Sequence, residues 1–186
     1  MALHCLVLLA RPIGGREGAV HIGMAPALPA LQGPRGGICA VMEIMDHHSA
    51  EGALQAMACW TLVNFALNAD CKALLLAEGG LGRILRAMRA HPNNYAVQFR
   101  GLFALINLVV PDVPNQQPQN IGEVIECVLR AMEVFHNDTR LMNRGCLVLQ
   151  NLSLNGALTG LIEPPALTLL GKSLHLNKLY GAYQSC

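Results

Sequence analysis

An internal repeat of 43 to 44 residues constrains this chain more than any other feature of its sequence. The tetrapeptide LRAM occupies 85–88 and returns at 129–132, and the pair GG at 36–37 returns at 79–80. A small residue recurs at 58, 101 and 145, and an asparagine recurs at 64, 107 and 151. Landmarks that share one period indicate stacked structural units, because one unit of this size cannot bury its own apolar face.

The repeat has the periodicity of amphipathic helices. Between 81 and 90, apolar residues recur at three- and four-residue steps with arginines between them, and a second apolar stripe follows the polar turn HPNN at 91–94. Asn68 or Asp70 can cap an earlier helix, which Gly79-Gly80 can end in the left-handed conformation. The full unit is therefore predicted to contain three helices, at about 70–78, 81–90 and 93–109.

The predicted domain organisation follows this repeat. Residues 1–35 are rich in Gly and Pro and are read as an irregular segment or a degenerate repeat, with one short helix near Met1–Ala10. The repeat array covers a partial unit at 36–68, a full unit at 69–110, a unit with a degenerate first helix at 111–154, and a partial unit at 155–176. Residues 177–186 are assigned to a C-terminal tail.

The third unit departs from the pattern. The segment PDVPNQQP at 111–118 cannot be helical throughout, because proline breaks helices. Helices are expected to resume near 121–135 and 138–154, and shorter ones near 157–162 and 166–176. Because the array begins and ends within a unit, we expect a piece of a longer array, with Ile38, Val41 and Ile44 needing cover. Isolated residues 36–176 are expected to self-associate through uncapped ends or to be marginally stable.

Composition excludes several classes of protein. A net charge of +1 gives no overall field that would attract nucleic acid or an anionic membrane. No apolar run approaches the ~18 residues of a membrane span, and no signal peptide is expected. Seven cysteines without a CxxC pair favour a reducing compartment. We expect a cytoplasmic or nuclear location.

The residues carry no recognisable catalytic chemistry. His47-His48, His91 and His136 mark equivalent turns, ~8–10 Å apart in stacked helices and too far apart to share a metal ion. GKS at 171–173 lacks the first glycine of a phosphate loop, and the acidic residues are scattered. No enzyme, metal or cofactor is expected. The remaining enzymatic reading is a thiol site at Cys71, the cysteine expected to be most exposed within the repeats.

The middle unit, NADCKALLLAEGGLGRILRAMRAHPNNYAVQFRGLFALINL, resembles the armadillo repeat. The resemblance rests on a three-helix unit whose last helix carries aromatic-x-x-x-Asn, and it covers roughly 36–170. It implies an all-α fold, a right-handed α-solenoid whose third helices line a concave groove. In that family the groove binds extended peptides or partner domains, and the aromatic residue and Asn hold the ligand.

Helical-wheel positions support this groove independently. At ~100° per residue, a large apolar side chain (aromatic in the first two units and leucine in the third) and the Asn of each third helix lie opposite the small and apolar residues that form the core. The candidate partner-binding residues are Trp60, Asn64, Arg100, Phe103, Asn107, Arg144, Leu147 and Asn151. An asparagine amide can both donate to and accept from one peptide unit. The alternative is that the asparagines brace the helices internally and touch no ligand.

The sequence therefore predicts a non-catalytic protein-interaction scaffold or adaptor. Arg100 and Arg144 favour a partner that is acidic or bears a C-terminal carboxylate, and would repel a basic nuclear-localisation signal. The alternative function is a regulatory armadillo segment of a larger kinase or ubiquitin-ligase assembly. Catalytic motifs in a longer transcript of the same gene would distinguish the two.

Overall fold

The computed structural model describes residues 36–110 and 120–154. Within these ranges all regular structure is helical, which confirms the all-α prediction. The helices are α1 (Gly37–His47), α2 (Gly52–Phe65), α3 (Ala69–Ala77), α4 (Gly80–Ala90), α5 (Tyr95–Leu108), α6 (Ile121–Val134) and α7 (Thr139–Leu154). The ends predicted for α3 to α7 lie within two residues of those observed. The expectations for 1–35, 111–119 and 155–186 lie outside the described residues.

The junction of α3 and α4 follows the predicted local chemistry. The backbone N–H of Cys71 donates to Oδ1 of Asn68 at 3.0 Å, so Asn68 is the N-cap of α3. Gly79 has φ 75°, the left-handed conformation that favours glycine. At Gly80 a Cβ atom would lie 2.8 Å from the carbonyl oxygen of Leu75. Both glycines are therefore needed where the chain turns sharply from α3 into α4.

The polar turns before α5 and α7 use equivalent N-caps. Oδ1 of Asn94 accepts from the N–H of Val97 at 3.3 Å, and Oδ1 of Asp138 accepts from the N–H of Leu141 at 2.9 Å. The two caps are 44 residues apart. Glu51, at the equivalent position before α2, forms no side-chain cap bond. The sequence period therefore sets where α5 and α7 begin.

The chain forms two compact units, Met1–Leu108 and Val109–Cys186. In the first unit, α2 packs most extensively against α5, and α1 packs against α4. Helices that occupy equivalent positions in successive repeats thus lie in contact. In the second unit, α6 packs against α7.

The small residue of the repeat permits a close approach between helices. A Cβ atom at Gly101 would lie 2.7 Å from Cγ and Sδ of Met88, so α5 approaches α4 closely there. At Gly145 the equivalent distances are 2.6 Å to Cγ and 2.5 Å to Sδ of Met132. The same contact therefore joins α4 to α5 and α6 to α7.

In the helix pairs α1–α2 and α4–α5, a buried glutamine forms hydrogen bonds with the end of the preceding helix. Nε2 of Gln55 donates to the carbonyl oxygens of Met45 and His48, at 3.0 and 2.8 Å. Nε2 of Gln98 donates to those of Met88 and His91, at 2.7 and 2.9 Å. Each amide satisfies backbone acceptors at the end of the preceding helix, where intrahelical donors run out.

The core faces of the third helices agree with the helical wheel. The residues predicted to face inward are buried: Ala58, Leu62, Phe65, Gly101, Leu105, Leu108, Gly145, Leu149 and Leu152. Ile38 and Val41 of α1 are also fully buried, whereas Ile44 is half-buried. No described helix is both long and apolar enough to cross a membrane.

Candidate partner-binding surface

Three large apolar side chains at equivalent positions of the repeat are exposed. Trp60 on α2 is 37% exposed, Phe103 on α5 is 38% exposed and Leu147 on α7 is 46% exposed. On the opposite faces of α2 and α5, Leu62 and Leu105 are completely buried. Each of these third helices thus presents an apolar side chain on the face away from the core, as the wheel predicted.

Arg100 connects α5 to α2 across this surface. Its guanidinium carbon lies 4.6 Å from the centroid of the Trp60 ring, a cation–π distance. Its Nη1 lies 3.1 Å from Sδ of Met57. Met57 and Trp60 are three residues apart on α2 and so share one face. We call Trp60, Arg100, Phe103 and Asn107 the third-helix surface; it lies entirely within the first unit.

The charge of Arg100 is partly buried and unmatched. Burial lowers the pKa of Arg100, an effect that Cys59 opposes, yet an arginine keeps its charge at neutral pH. Arg83 and Arg86 both bind the carboxylate of Asp46, at 2.8 and 3.0 Å. Arg100, by contrast, forms no ion pair with any residue that the structure describes. The third-helix surface therefore carries a positive charge that no acidic side chain within 36–110 and 120–154 compensates.

The three predicted amides are not equivalent. Asn107 is half-buried, and its Nδ2 donates to the carbonyl oxygen of Phe103 at 3.3 Å. Asn64 is only 7% exposed and already interacts with another group of the protein. Asn151 is half-buried and is also engaged. The burial of Asn64 favours a role in bracing the helices internally. Asn107, which is more exposed, is better placed to bind a ligand.

Arg144, Leu147 and Asn151 lie together on α7 in the second unit. Arg144 is half-buried and has an interaction of its own. Leu147 is exposed, as the wheel predicted. These residues form a second candidate surface, which we describe separately from that of the first unit.

The expectation that Cys71 is exposed is wrong. Cys71 is completely buried, and burial, followed by the charge of Asp70, raises the pKa of its thiol. Cys59 is also completely buried, and burial raises the pKa of its thiol to about 12. Neither side chain has the access or the thiolate character of a reactive cysteine.

Three of the histidines that mark the turns donate hydrogen bonds to backbone carbonyl oxygens. Nδ1 of His47 donates to the carbonyl oxygen of Glu43 at 2.8 Å, and Nδ1 of His136 donates to that of Glu133 at 3.1 Å. His91 instead reaches the preceding repeat, where its Nε2 donates to the carbonyl oxygen of Ser49 at 2.8 Å. No group of three or more His, Cys, Asp or Glu within 36–110 and 120–154 is arranged to hold a metal ion.

Sequence reasoning missed the contacts that hold Arg100 and the buried glutamines. Met57 and Arg100 are 43 residues apart and therefore occupy equivalent positions, a signal that was visible in the repeat. Gln55 and Gln98 are also 43 residues apart, but the equivalent position of the next repeat is occupied by Met142. Because that series is incomplete, the sequence pattern alone does not single out these two residues.

Comparisons of the chain with protein-family models, curated proteins and solved structures gave no match. We therefore infer function from the repeat and from the geometry of the third-helix surface.

Proposed function

We propose that this chain is a non-catalytic protein-interaction scaffold, an α-solenoid of armadillo-like repeats that binds an extended segment of a partner protein. The packing of α1 against α4 and of α2 against α5 supports the solenoid part of this proposal. Contact between equivalent helices of successive units is the arrangement that repeat proteins use to bury a continuous core.

The observation that carries the binding function is the repeated exposure of Trp60, Phe103 and Leu147. Single exposed apolar side chains are ordinary on protein surfaces. These three, however, keep the 43- and 44-residue steps of the core residues and the same side of their helices. A partner that covers Trp60 and Phe103, both in the first unit, would gain roughly 25 cal/mol for each Å² of apolar area removed from water.

The third-helix surface also offers polar groups to a bound chain. Asn107 can donate to and accept from a peptide unit of an extended ligand. Stacked helices lie ~8–10 Å apart, which corresponds to about three residues of an extended chain at ~3.3 Å per residue. A segment that crosses α2 and α5 would therefore meet an apolar side chain about every third residue.

A display selection of random peptides against the full 186-residue chain tests this proposal. The test variant carries Trp60→Ala, Phe103→Ala and Leu147→Ala. The matched control carries Leu67→Ala, Val110→Ala and Val134→Ala, because those side chains are exposed to a similar degree, at 49, 41 and 40%, but lie beyond the end of α2, beyond the end of α5 and at the end of α6. Circular dichroism establishes that both variants keep their helical content.

The wild-type chain and the control should enrich the same peptide motif, and the test variant should lose it. Enrichment of the same motif by the folded test variant would contradict the proposed surface. Failure of the wild-type chain to enrich any motif would contradict the scaffold function itself.

A further inference from the structure

The side chains around Arg100 hold its guanidinium without neutralising it. On α2, the Trp60 ring lies 4.6 Å from the guanidinium carbon, and Sδ of Met57 lies 3.1 Å from Nη1. An indole face and a thioether sulfur are weak, uncharged partners compared with a carboxylate. The two α2 side chains therefore fix the position of the arginine and leave its charge available.

Among the described residues of the first unit, no acidic side chain forms an ion pair with Arg100. Asp46 already forms ion pairs with both Arg83 and Arg86, and Oε1 of Glu51 lies 2.8 Å from Nδ1 of His48. Of the five N–H groups of the Arg100 guanidinium, one points to Met57, and no described residue gives the others an acceptor. Charged, partly buried groups are ordinarily paired. An external anion would complete this site.

The shape of the guanidinium selects the kind of anion. A guanidinium is planar and presents its N–H groups at its edge, where they match the two oxygens of a carboxylate. We propose that Arg100 is the carboxylate-binding residue of the third-helix surface, and that Trp60 and Met57 are its positioning residues. This inference rests on the proposed scaffold function, because the carboxylate belongs to the extended partner segment.

The neighbouring residue sets the register of that segment. Phe103 follows Arg100 by three positions on α5 and is 38% exposed, so the two side chains lie about 5–6 Å apart at their Cβ atoms. In an extended peptide, side chains two positions apart lie on one face, ~6.6 Å from each other. The carboxylate and an apolar side chain of the partner should therefore be separated by one residue, as in Glu-x-Leu or Asp-x-Leu.

Two sources of carboxylate satisfy this chemistry: an acidic side chain or the C-terminus of the partner. Three pools of tryptophan-free decapeptides separate them, each random at the remaining positions. The first pool has blocked ends and a fixed Glu-x-Leu, the second has Gln-x-Leu in its place, and the third has a free carboxylate on a C-terminal residue that follows Leu. Binding is measured by the fluorescence of Trp60, the single tryptophan of the chain.

The wild-type chain should bind one of the carboxylate pools about 10- to 100-fold more tightly than the Gln-x-Leu pool, the range expected for a charged hydrogen-bonded pair. Arg100→Gln should abolish that preference. Arg100→Lys should restore part of it, because lysine keeps the charge and loses the planar fork. Arg130→Gln is the matched control, since it removes the same charge from an exposed position on α6, and it should leave the preference unchanged. Circular dichroism checks the folding of each variant.

Equal binding of all three pools would overturn the carboxylate site and leave the scaffold function standing, whereas binding of no pool would overturn both. An equal loss in Arg100→Gln and Arg130→Gln would overturn the site by showing a general charge effect. Vesicles of phosphatidylserine and phosphatidylcholine provide a further arm. If they bind more tightly than any peptide pool, with the same dependence on Arg100, the site belongs to a membrane surface and the peptide proposal fails.

Discussion

The helix pairs α4–α5 and α6–α7 are two copies of one sequence pattern with different polar contacts. Both place a glycine against a methionine of the preceding helix, at Gly101 and at Gly145. In α4–α5 the buried Gln98 binds two carbonyl oxygens at the end of α4. In α6–α7 the position 44 residues later is Met142, which is 2% exposed.

This difference shows which parts of the repeat are interchangeable. The apolar landmarks recur because each pair must bury the same face at the same helix separation. The polar contact at the end of the pair differs between the two copies, and a substitution there should cost most where it leaves buried carbonyl oxygens without their donor. Four sets of substitutions test this comparison.

Replacement of the buried glutamine should have the largest effect. Gln98→Met copies the α6–α7 pair but leaves the carbonyl oxygens of Met88 and His91 without the amide, so we expect a loss of about 2–3 kcal/mol in the free energy of unfolding. Urea denaturation followed by Trp60 fluorescence measures this loss in the first unit. The reciprocal Met142→Gln should stay within about 1 kcal/mol of wild type by circular dichroism, because equivalent backbone acceptors lie at the end of α6. Equal losses of stability in both variants would contradict the expected difference between the two helix pairs.

Filling the close approach at the glycines should have the next largest effect. Gly101→Ala brings a Cβ atom to 2.7 Å from Met88, and we expect a net loss of about 1–2 kcal/mol after the gain in helix propensity. Gly145→Ala should cause a similar loss of stability, because its Cβ atom would approach Met132 as closely. Gly82→Ala and Gly122→Ala are matched controls, since their Cβ atoms would meet nothing within 4 Å, and both should raise the midpoint of thermal unfolding. Stabilisation by Gly101→Ala would show that Met88 yields without strain.

Removal of the equivalent N-caps should cost about 1 kcal/mol each. Asp138→Ala should cost more than Asn94→Ala, because its hydrogen bond is 2.9 Å long against 3.3 Å. Glu51→Ala is the control at the equivalent position of α2, where no cap bond forms. Amide hydrogen exchange in the first turns of α2, α5 and α7 measures the local effect. A change at α2 as large as those at α5 and α7 would argue against capping as the cause.

The ion pairs between α1 and α4 should give the smallest effect, about 0.5–1 kcal/mol for Asp46→Asn at pH 7. Burial by itself raises the pKa of Asp46, but hydrogen bonds and charges from Arg83 and Arg86 outweigh it and hold the pKa below its ordinary value. A depressed carboxylate pKa contributes stability above the unfolded-state pKa, near pH 4, and this contribution is lost as the pH falls through the folded-state value. The difference between wild type and Asp46→Asn in urea should therefore shrink as the pH falls below about 4 and disappear once the pH is below the folded-state pKa of Asp46. Glu43→Gln removes an exposed charge from α1 outside these ion pairs and is the matched control, which should cost less stability at pH 7 than Asp46→Asn.

Local sequence determined much of the secondary structure. Asn68 at the start of α3, the positive φ of Gly79 and the apolar face of α5 each follow from residues within one or two helical turns. The side of each third helix that carries Trp60 and Phe103 follows in the same way, because a helical wheel fixes directions within one helix.

Tertiary packing decided which of those residues a partner could reach. Asn64 and Asn107 occupy equivalent wheel positions, yet Asn64 is 7% exposed and Asn107 is half-buried. Cys71, expected at the surface, is completely buried. The contact of Arg100 with Trp60 joins residues 40 positions apart on two helices. Sequence periodicity fixes the direction in which a side chain leaves its helix. Its burial and its partners depend on which neighbouring helix packs there, and only the tertiary structure decides that.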